Sequence, residues 1–452
     1  MKDHMEKRPL ALYVHIPFCV KKCAYCDFLS APASEKVKEN YVNLLCEEIE
    51  REAVCYPDYR GTTVFFGGGT PTVLRPEQLD KILCKLKGCF SMNQSGMEQR
   101  GSMLSGEKAA GEPEITLECN PGTVTEEDLQ KLREAGFNRL SIGLQSAQNE
   151  ELKMLGRIHS WEEFLNTYDS AGKAGFRNIN VDLMSALPGQ TVKSYVNTLE
   201  KVTALRPEHI SAYSLIIEEG TPFYARYGEA DVQRRRDGED ERHLLPSEEE
   251  ERRMYELTQE ILGEKGYHRY EISNYALSGY ECRHNITYWR RGDYLGLGLG
   301  AASLVDNCRF TKTRDLEEYR ELLQDDGKTG TGRRDREDRA NRSGRDTGES
   351  RHGILLRQEK KDCGPNSPLH RNLQKLSIQE QMEEFMFLGL RLTEGISCPA
   401  FQEYFQTPIE DIYGAVLRRL EKEGLLVRRE DKISLTKRGI DVSNVVLSEF
   451  LL

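Results

Sequence analysis

Residues 10–28 read LALYVHIPFCVKKCAYCDF. The apolar run ALYVHI closes on Pro17, the pattern of a short buried β-strand bounded by a turn residue. Directly after it, Cys19, Cys23 and Cys26 place three thiols in one loop at C-x3-C-x2-C spacing. Thiolates are the soft ligands that iron–sulfur clusters require. A cubane has four irons, so three cysteines leave one iron open to a small-molecule chelator. The alternatives are a zinc site completed by a fourth ligand, or unpaired core cysteines. Zinc sites usually pair two ligand spacings some distance apart, whereas this motif stands alone.

Outward from this strand the chain alternates short apolar runs with amphipathic helical patterns to about Leu215, as successive βα units around a parallel sheet do. ALYVHI, TTVFFGG, ITLEC, RLSIGL, NINVDL and HISAYSL are the six strand candidates. Between the first two, EKVKENYVNLLCEEIE puts Val37, Tyr41, Leu44, Leu45 and Ile49 on one helical face that would cover the sheet. Thr125 with Asp128 and Ser160 with Glu163 have capping-box spacing, and Gly136 and Gly175 suit left-handed helix ends. EAGFNRLSIGL and KAGFRNINVDL repeat one helix-turn-strand unit. Six such units imply an α/β partial barrel of TIM type, a (β/α)6 array, over residues 9–225.

An accessory segment, 226–320, follows. The stretches near 91–113, 226–251 and 325–368 are poor in aromatic and β-branched residues. They cannot offset an ordering cost of roughly 1–2 kcal/mol per residue, so they read as flexible insertions, the last (325–375) marking a domain boundary. Beyond it, 376–452 shows two helical patterns, SIQEQMEEFMFLGLRL and PIEDIYGAVLRRLEKEG, then a hairpin, LLVRREDKISLTKRG, and a final short helix. That order resembles a winged-helix module, a small α+β domain. Glu410, Asp411, Glu421 and Glu423 on the second helix argue against DNA, as does a net charge of −11 on 452 residues. No stretch approaches the roughly 20 apolar residues of a spanning helix, and the N-terminus lacks a secretory pattern. Twelve cysteines are too few for a disulfide scaffold of this length, and the three clustered in a metal-type motif point to a reducing, cytoplasmic setting.

Polar residues stand at the ends of the apolar strands: Gly68, Gly69 and Thr70 in FGGGTP, Glu118 in ITLECNP, Gln145 in RLSIGLQS, Arg157 in LGRIH and Asp182 in NINVDL. In parallel barrels ligands bind at that end, where loops are free to vary. Taken singly, each could merely cap or tether a loop. Tyr25, between the last two cysteines, fits the wall of a nucleoside pocket. Together with the cysteine loop these residues resemble the radical S-adenosylmethionine (SAM) superfamily. The resemblance implies a [4Fe–4S] cluster on the three cysteines, with SAM chelating the open iron and losing its sulfonium C–S bond on one-electron reduction. It implies that the glycines meet the methionine amino group, Glu118 and Asp182 the ribose or amino group, Arg157 the carboxylate, and Tyr13 the cluster side.

The phrases YVHIPFCVKKCAYCDF, FFGGGTPT, LECNPGTVT, NVDLMSALPGQT, YEISNYA and CRHNITYWR resemble the haem-chaperone (HemW-like) branch, and the likeness covers most of the chain. Its relatives, the oxygen-independent coproporphyrinogen III dehydrogenases, carry a further cysteine where this chain has Phe28. They also carry an N-terminal extension, whereas this chain begins almost at its first strand. His284, Tyr288 and Trp289 match the branch's HNxxYW signature, which implies haem held by His284; histidine is a common axial ligand, although a lone histidine is more often structural. The implied partners are haem, apo-haemoproteins and an electron donor if the cluster is reduced, with no nucleic acid and at most peripheral membrane contact. The other reading is an enzyme proper, a radical oxidoreductase acting on coproporphyrinogen III.

Overall fold

The computed structural model describes residues 7–92, 112–228, 244–324 and 367–452. Strands β1 (Arg8–Ile16), β2 (Tyr59–Gly68), β3 (Glu114–Cys119), β4 (Arg139–Gln145), β5 (Ile179–Ser185) and β6 (His209–Ser214) lie side by side in chain order, all parallel. They form the six-stranded partial barrel. Helices α1 (Glu35–Cys55), α2 (Pro76–Cys89), α3 (Glu126–Ala135), α4 (Asn149–Met154), α5 (Trp161–Lys173) and α6 (Val192–Leu205) occupy the crossovers. Tyr41, Leu44, Leu45 and Ile49 of α1 are buried in the main core, and Val37 packs against its rim. Both capping boxes are closed, at Thr125 and Ser160, and Gly136 ends α3 at φ +109°.

Register decides where the chemistry gathers. Ile16 pairs with Gly68, Phe66 with Leu117, Cys119 with Ile142, and Gln145 with Leu183. The cysteine loop, the glycine turn and the ends of β3, β4 and β5 therefore share one rim.

The sheet is longer than six strands. After α7 (Pro222–Tyr227) and α8 (Glu248–Glu264), β7 (His268–Arg269) and β8 (Asn274–Ala276) add an antiparallel edge beside β6. Helix α9 (Arg283–Trp289) leads to β9 (Tyr294–Leu297), parallel to β1, and then β10 (Ala302–Val305) and β11 (Cys308–Lys312) run antiparallel beyond it. Two stretches read as insertions are ordered at their ends. Within 226–251, Ser247 caps α8, whose Met254, Thr258 and Leu262 are buried against the barrel. Within 325–375, after α10 (Leu316–Gln324), β12 (His370–Lys375) pairs with β11. Polar side chains hid that strand, because main-chain pairing rather than apolar burial holds it. Residues 93–111, 229–243 and 325–366, the bulk of those stretches, lie outside the described residues.

Lys312 is wholly buried between Glu48 (3.2 Å) and Glu52 (2.5 Å) of α1, and His370 Nε2 lies 3.0 Å from Glu52 Oε1. The preceding residue on the same helix, Arg51, donates to the carbonyls of Leu322 and Leu323.

The C-terminal part has its own core, including Met386, Phe401, Tyr413 and Leu417. It contains α11 (Ile378–Gly389), β13 (Ile396–Ser397), α12 (Cys398–Phe405), α13 (Ile409–Lys422), a β14–β15 hairpin (Leu426–Arg429, Lys432–Leu435) and two short helices, α14 (Lys437–Asp441) and α15 (Ser443–Ser448). Helix α12 has no counterpart in the sequence reading; Ser397 caps it, and Pro399 sits in its first turn. The module holds α9 through the buried Arg291–Glu384 pair (2.9 Å) and through Arg391, which lies 4.3 Å from the Trp289 ring centroid.

Candidate cofactor site

Three segments meet at the rim. The glycine turn folds back on the end of β1: Gly69 N–H donates to Ile16 O (2.9 Å) and Thr70 N–H to Phe18 O (2.7 Å). A Cβ at Gly69 would lie 2.5 Å from Phe18 O, and Gly68 takes φ +106° with the His15 ring against its α-carbon, so both positions require glycine. Gly68 N–H donates to Glu118 (3.2 Å).

A ring of contacts then joins the cysteine loop to β3 and β4. Cys19 Sγ is 3.4 Å from Thr70 Oγ1, which accepts from Asn120 Nδ2 (2.7 Å). Asn120 Oδ1 accepts from Arg157 (2.6 Å), and Arg157 reaches Cys23 Sγ (3.7 Å) and Gly143 O (2.6 Å). Gly143 makes this convergence possible, since a Cβ there would lie 2.9 Å from Asn120 Oδ1, 3.0 Å from Gln145 Nε2 and 3.3 Å from Arg157. Asn120 is a site residue that sequence reasoning missed. It lies inside the quoted LECNP, and its adjacency to Glu118 at a strand end was the available signal.

Burial sets the protonation of the rim. It pushes Glu118 up to about 8, with Asp182 adding to the effect and the Gly68 amide opposing it. Burial also raises Asp182, against hydrogen bonds from Asn180, Ser211 and Ser141 and the charge of Arg139. Tyr25 is pushed well up by burial and stays a neutral phenol. The Cys26 thiol is raised, first by burial, so a metal binding there must displace its proton. Val20, Lys21, Cys23, Thr70, Arg157 and Ile158 line a cleft of about 300 Å³, part of it open to solvent. Among the described residues no three His, Cys, Asp or Glu side chains converge on one ion.

His284 is elsewhere. Its Nδ1 is 2.8 Å from Thr63 Oγ1, its Nε2 is 2.8 Å from Tyr288 Oη, and its ring stacks on Phe65 at 5.2 Å. Thr63 is four residues below Gly67 on β2, about 13 Å along the barrel. The structure thus gathers Cys19, Cys23, Thr70, Gln145 and Arg157 at the rim, sets Glu118 beside Gly68, and leaves His284 buried beneath them. Tyr13 lies between: its hydroxyl is 3.1 Å from His15 Nδ1, and its ring stacks on Phe65. Burial, then Arg139, pushes His284 down to about 3, so its ring is neutral.

A family model for the radical SAM superfamily matches residues 13–202, and one for the HemN C-terminal domain matches 376–442. The heme chaperone HemW of Bacillus subtilis is 32% identical over 97% of this chain and 98% of that protein. The chain belongs to the HemW family of radical SAM proteins. HemW of Escherichia coli is 36% identical over 68% of this chain and 74% of its own. Among solved structures, the radical SAM enzyme coproporphyrinogen III oxidase (HemN) from Escherichia coli superposes with a TM-score of 0.73 at 21% identity, covering 99% of this chain and 91% of that one. At that identity the match shows the fold.

Membership in the radical SAM superfamily implies a [4Fe–4S] cluster and SAM, and the HemW-family rim fits such groups on two observations. Cys19, Cys23 and Cys26 are free thiols in one loop. Gln145 Oε1 and Arg157 Nε are buried with no hydrogen-bond partner among the described residues, and a polar ligand would satisfy them. Nor, among the described residues, is any helix long and apolar enough to cross a membrane.

Proposed function

We propose that this chain carries haem and passes it to apo-haemoproteins, using the cluster and SAM to support or regulate the transfer. One observation carries the reading: relatives named heme chaperone HemW align with it nearly end to end, and the HNxxYW residues His284, Asn285, Tyr288 and Trp289 are all present. Cys19, Cys23 and Cys26 hold three irons. When bound, the cluster supplies an open iron and one-electron reducing power.

The protein's own groups do the positioning. Arg157 meets the SAM carboxylate, and Glu118 and Asp182 take ribose hydroxyls or the amino group, with Gln145 and Tyr25 beside them. The amides of Gly68, Gly69 and Thr70 are already bonded within the protein, so an amino group at this turn uses its carbonyls and the Thr70 hydroxyl. Tyr13 backs the cluster side. His284 ligates haem iron as a neutral imidazole, the ligating form, once its bonds to Thr63 and Tyr288 open. The setting is cytoplasmic, with an electron donor for the cluster, peripheral membrane contact at most and no nucleic acid.

Titrating the reconstituted protein with haemin, wild type against His284→Ala, tests this by absorption spectroscopy. We expect loss of the bound-haem spectrum in the variant. Unchanged stoichiometry and affinity would exclude His284 as the ligand.

A further inference from the structure

Asp182 and the start of α9 are the two ends of one hydrogen-bond chain through the barrel. The Cys282 amide donates to Tyr270 Oη at 3.3 Å, and that hydroxyl lies 2.9 Å from His209 Nε2. His209 Nδ1 is 2.6 Å from Asn180 Oδ1, and Asn180 Nδ2 donates to Asp182 Oδ1 at 2.8 Å. Cys282, Tyr270, His209 and Asn180 are all buried.

The chain runs one way. Asn180 is oriented by three further facts: its Nδ2 faces a carboxylate that only accepts, it also donates to Ser141 Oγ (2.8 Å), and Ser211 donates to its Oδ1 (3.1 Å). An amide oxygen accepts, so His209 carries its proton on Nδ1, leaving Nε2 to accept from the Tyr270 hydroxyl. Burial, with Arg139 and His268, holds His209 in this neutral form. Every donor therefore points from α9 towards Asp182, and each bond polarises the next.

The end at α9 is a short helix held by the same network. Cys282 caps it without a side-chain bond to the helix amides; its Sγ donates instead to buried Glu114 (3.6 Å), which also accepts from the amides of Arg283 (3.1 Å) and His284 (3.0 Å). Seven residues have little helical stability of their own.

We propose that Tyr270 and His209 are positioning residues that couple ligand binding at Asp182 to release of α9. A ligand that donates hydrogen bonds to Asp182 competes for the chain's terminal acceptor. The relay weakens, α9 loosens from Tyr270 and Glu114, and His284 leaves Thr63 on β2. The identity of the cargo rests on the haem-carrier reading; the motion does not.

Hydrogen–deuterium exchange over residues 282–290, with and without SAM, on the cluster-loaded chain reads the motion directly, alongside haem titrations. In the wild type SAM speeds exchange of this segment and tightens haem binding, each by a factor within about 5–150, the usual range of such couplings. Tyr270→Phe deletes one hydroxyl; its segment exchanges fast in both conditions, and the SAM effect falls below about twofold. A wild-type-sized SAM effect in Tyr270→Phe, or none in the wild type, overturns the proposal. Should Tyr270→Phe lose its iron or its fold, His209→Gln cuts the adjacent link and is read the same way. A SAM effect on exchange in a chain that binds no haem supports the coupling while refuting the carrier reading.

Discussion

Replacing Glu118 by Gln removes a carboxyl whose burial costs the fold most when it is ionised. Its midpoint is pushed from the ordinary 4.5 to about 8. A carboxyl with a raised midpoint keeps its proton in the folded chain while the unfolded chain releases it, so folding stability falls as pH rises between the two values. The full loss, once both states are ionised, is about 5 kcal/mol, of which about 3 is in place at neutrality. Glu118→Gln is neutral throughout and escapes this decline. The assay is chemical denaturation of the iron-free chain at a series of pH values, comparing wild type with variant. Groups away from the rim titrate equally in both proteins, so the difference reports Glu118 together with Asp182, the carboxyl coupled to it. We expect the curves to meet near the ordinary carboxylate range and to separate by a few kcal/mol in favour of Glu118→Gln above it. Parallel curves would show that Glu118 ionises freely and that burial does not set its protonation.

Two further outcomes follow from geometry. Gly69→Ala drives a Cβ against Phe18 O and displaces the start of the cysteine loop; iron and sulfide content after reconstitution should drop well below wild type, and full retention would refute the packing role. Lys312→Met leaves Glu48 and Glu52 buried without their cation, which should cost about 3–5 kcal/mol in denaturant unfolding. Burial opposes ionisation of Glu52, but Lys312 and His370 outweigh it and hold the group at about 2. Its stabilising share is therefore present above the ordinary carboxylate range and disappears as pH falls towards that value.

The parallel strands were legible because both faces of each are covered, which writes long apolar runs into the sequence. The capping boxes and glycine stops were equally direct, since each is a local bond. What escaped detection depends on non-local pairing. Strand β12, HRNLQK, exposes most of its side chains and exists because β11 offers a ladder. Strands β9 and β10 flank glycines that look like loop, and Gly296 is needed there because a side chain would strike Ala302 O. At the rim, polarity at strand ends marked Glu118, Gln145, Arg157 and Asp182, but Asn120, one residue beyond β3, ties Thr70 to Arg157 through contacts that only the register of the strands brings together. The motif around His284 was visible, and its burial beneath Phe65 was not, because depth within a barrel is set by register.

Arg51 and Glu52, neighbours on α1, receive the chain on either side of residues 325–366, one through the carbonyls ending α10 and the other through His370. The two ends of that stretch are thus fixed by the barrel, whatever its length or composition. Closing a longer connection between fixed ends costs only about 0.6 kcal/mol per doubling. This makes the segment a natural place for lineages to lengthen, shorten or exchange sequence, and for an affinity handle or reporter domain to be grafted in, while the parallel strands that carry the cofactor rim keep their register.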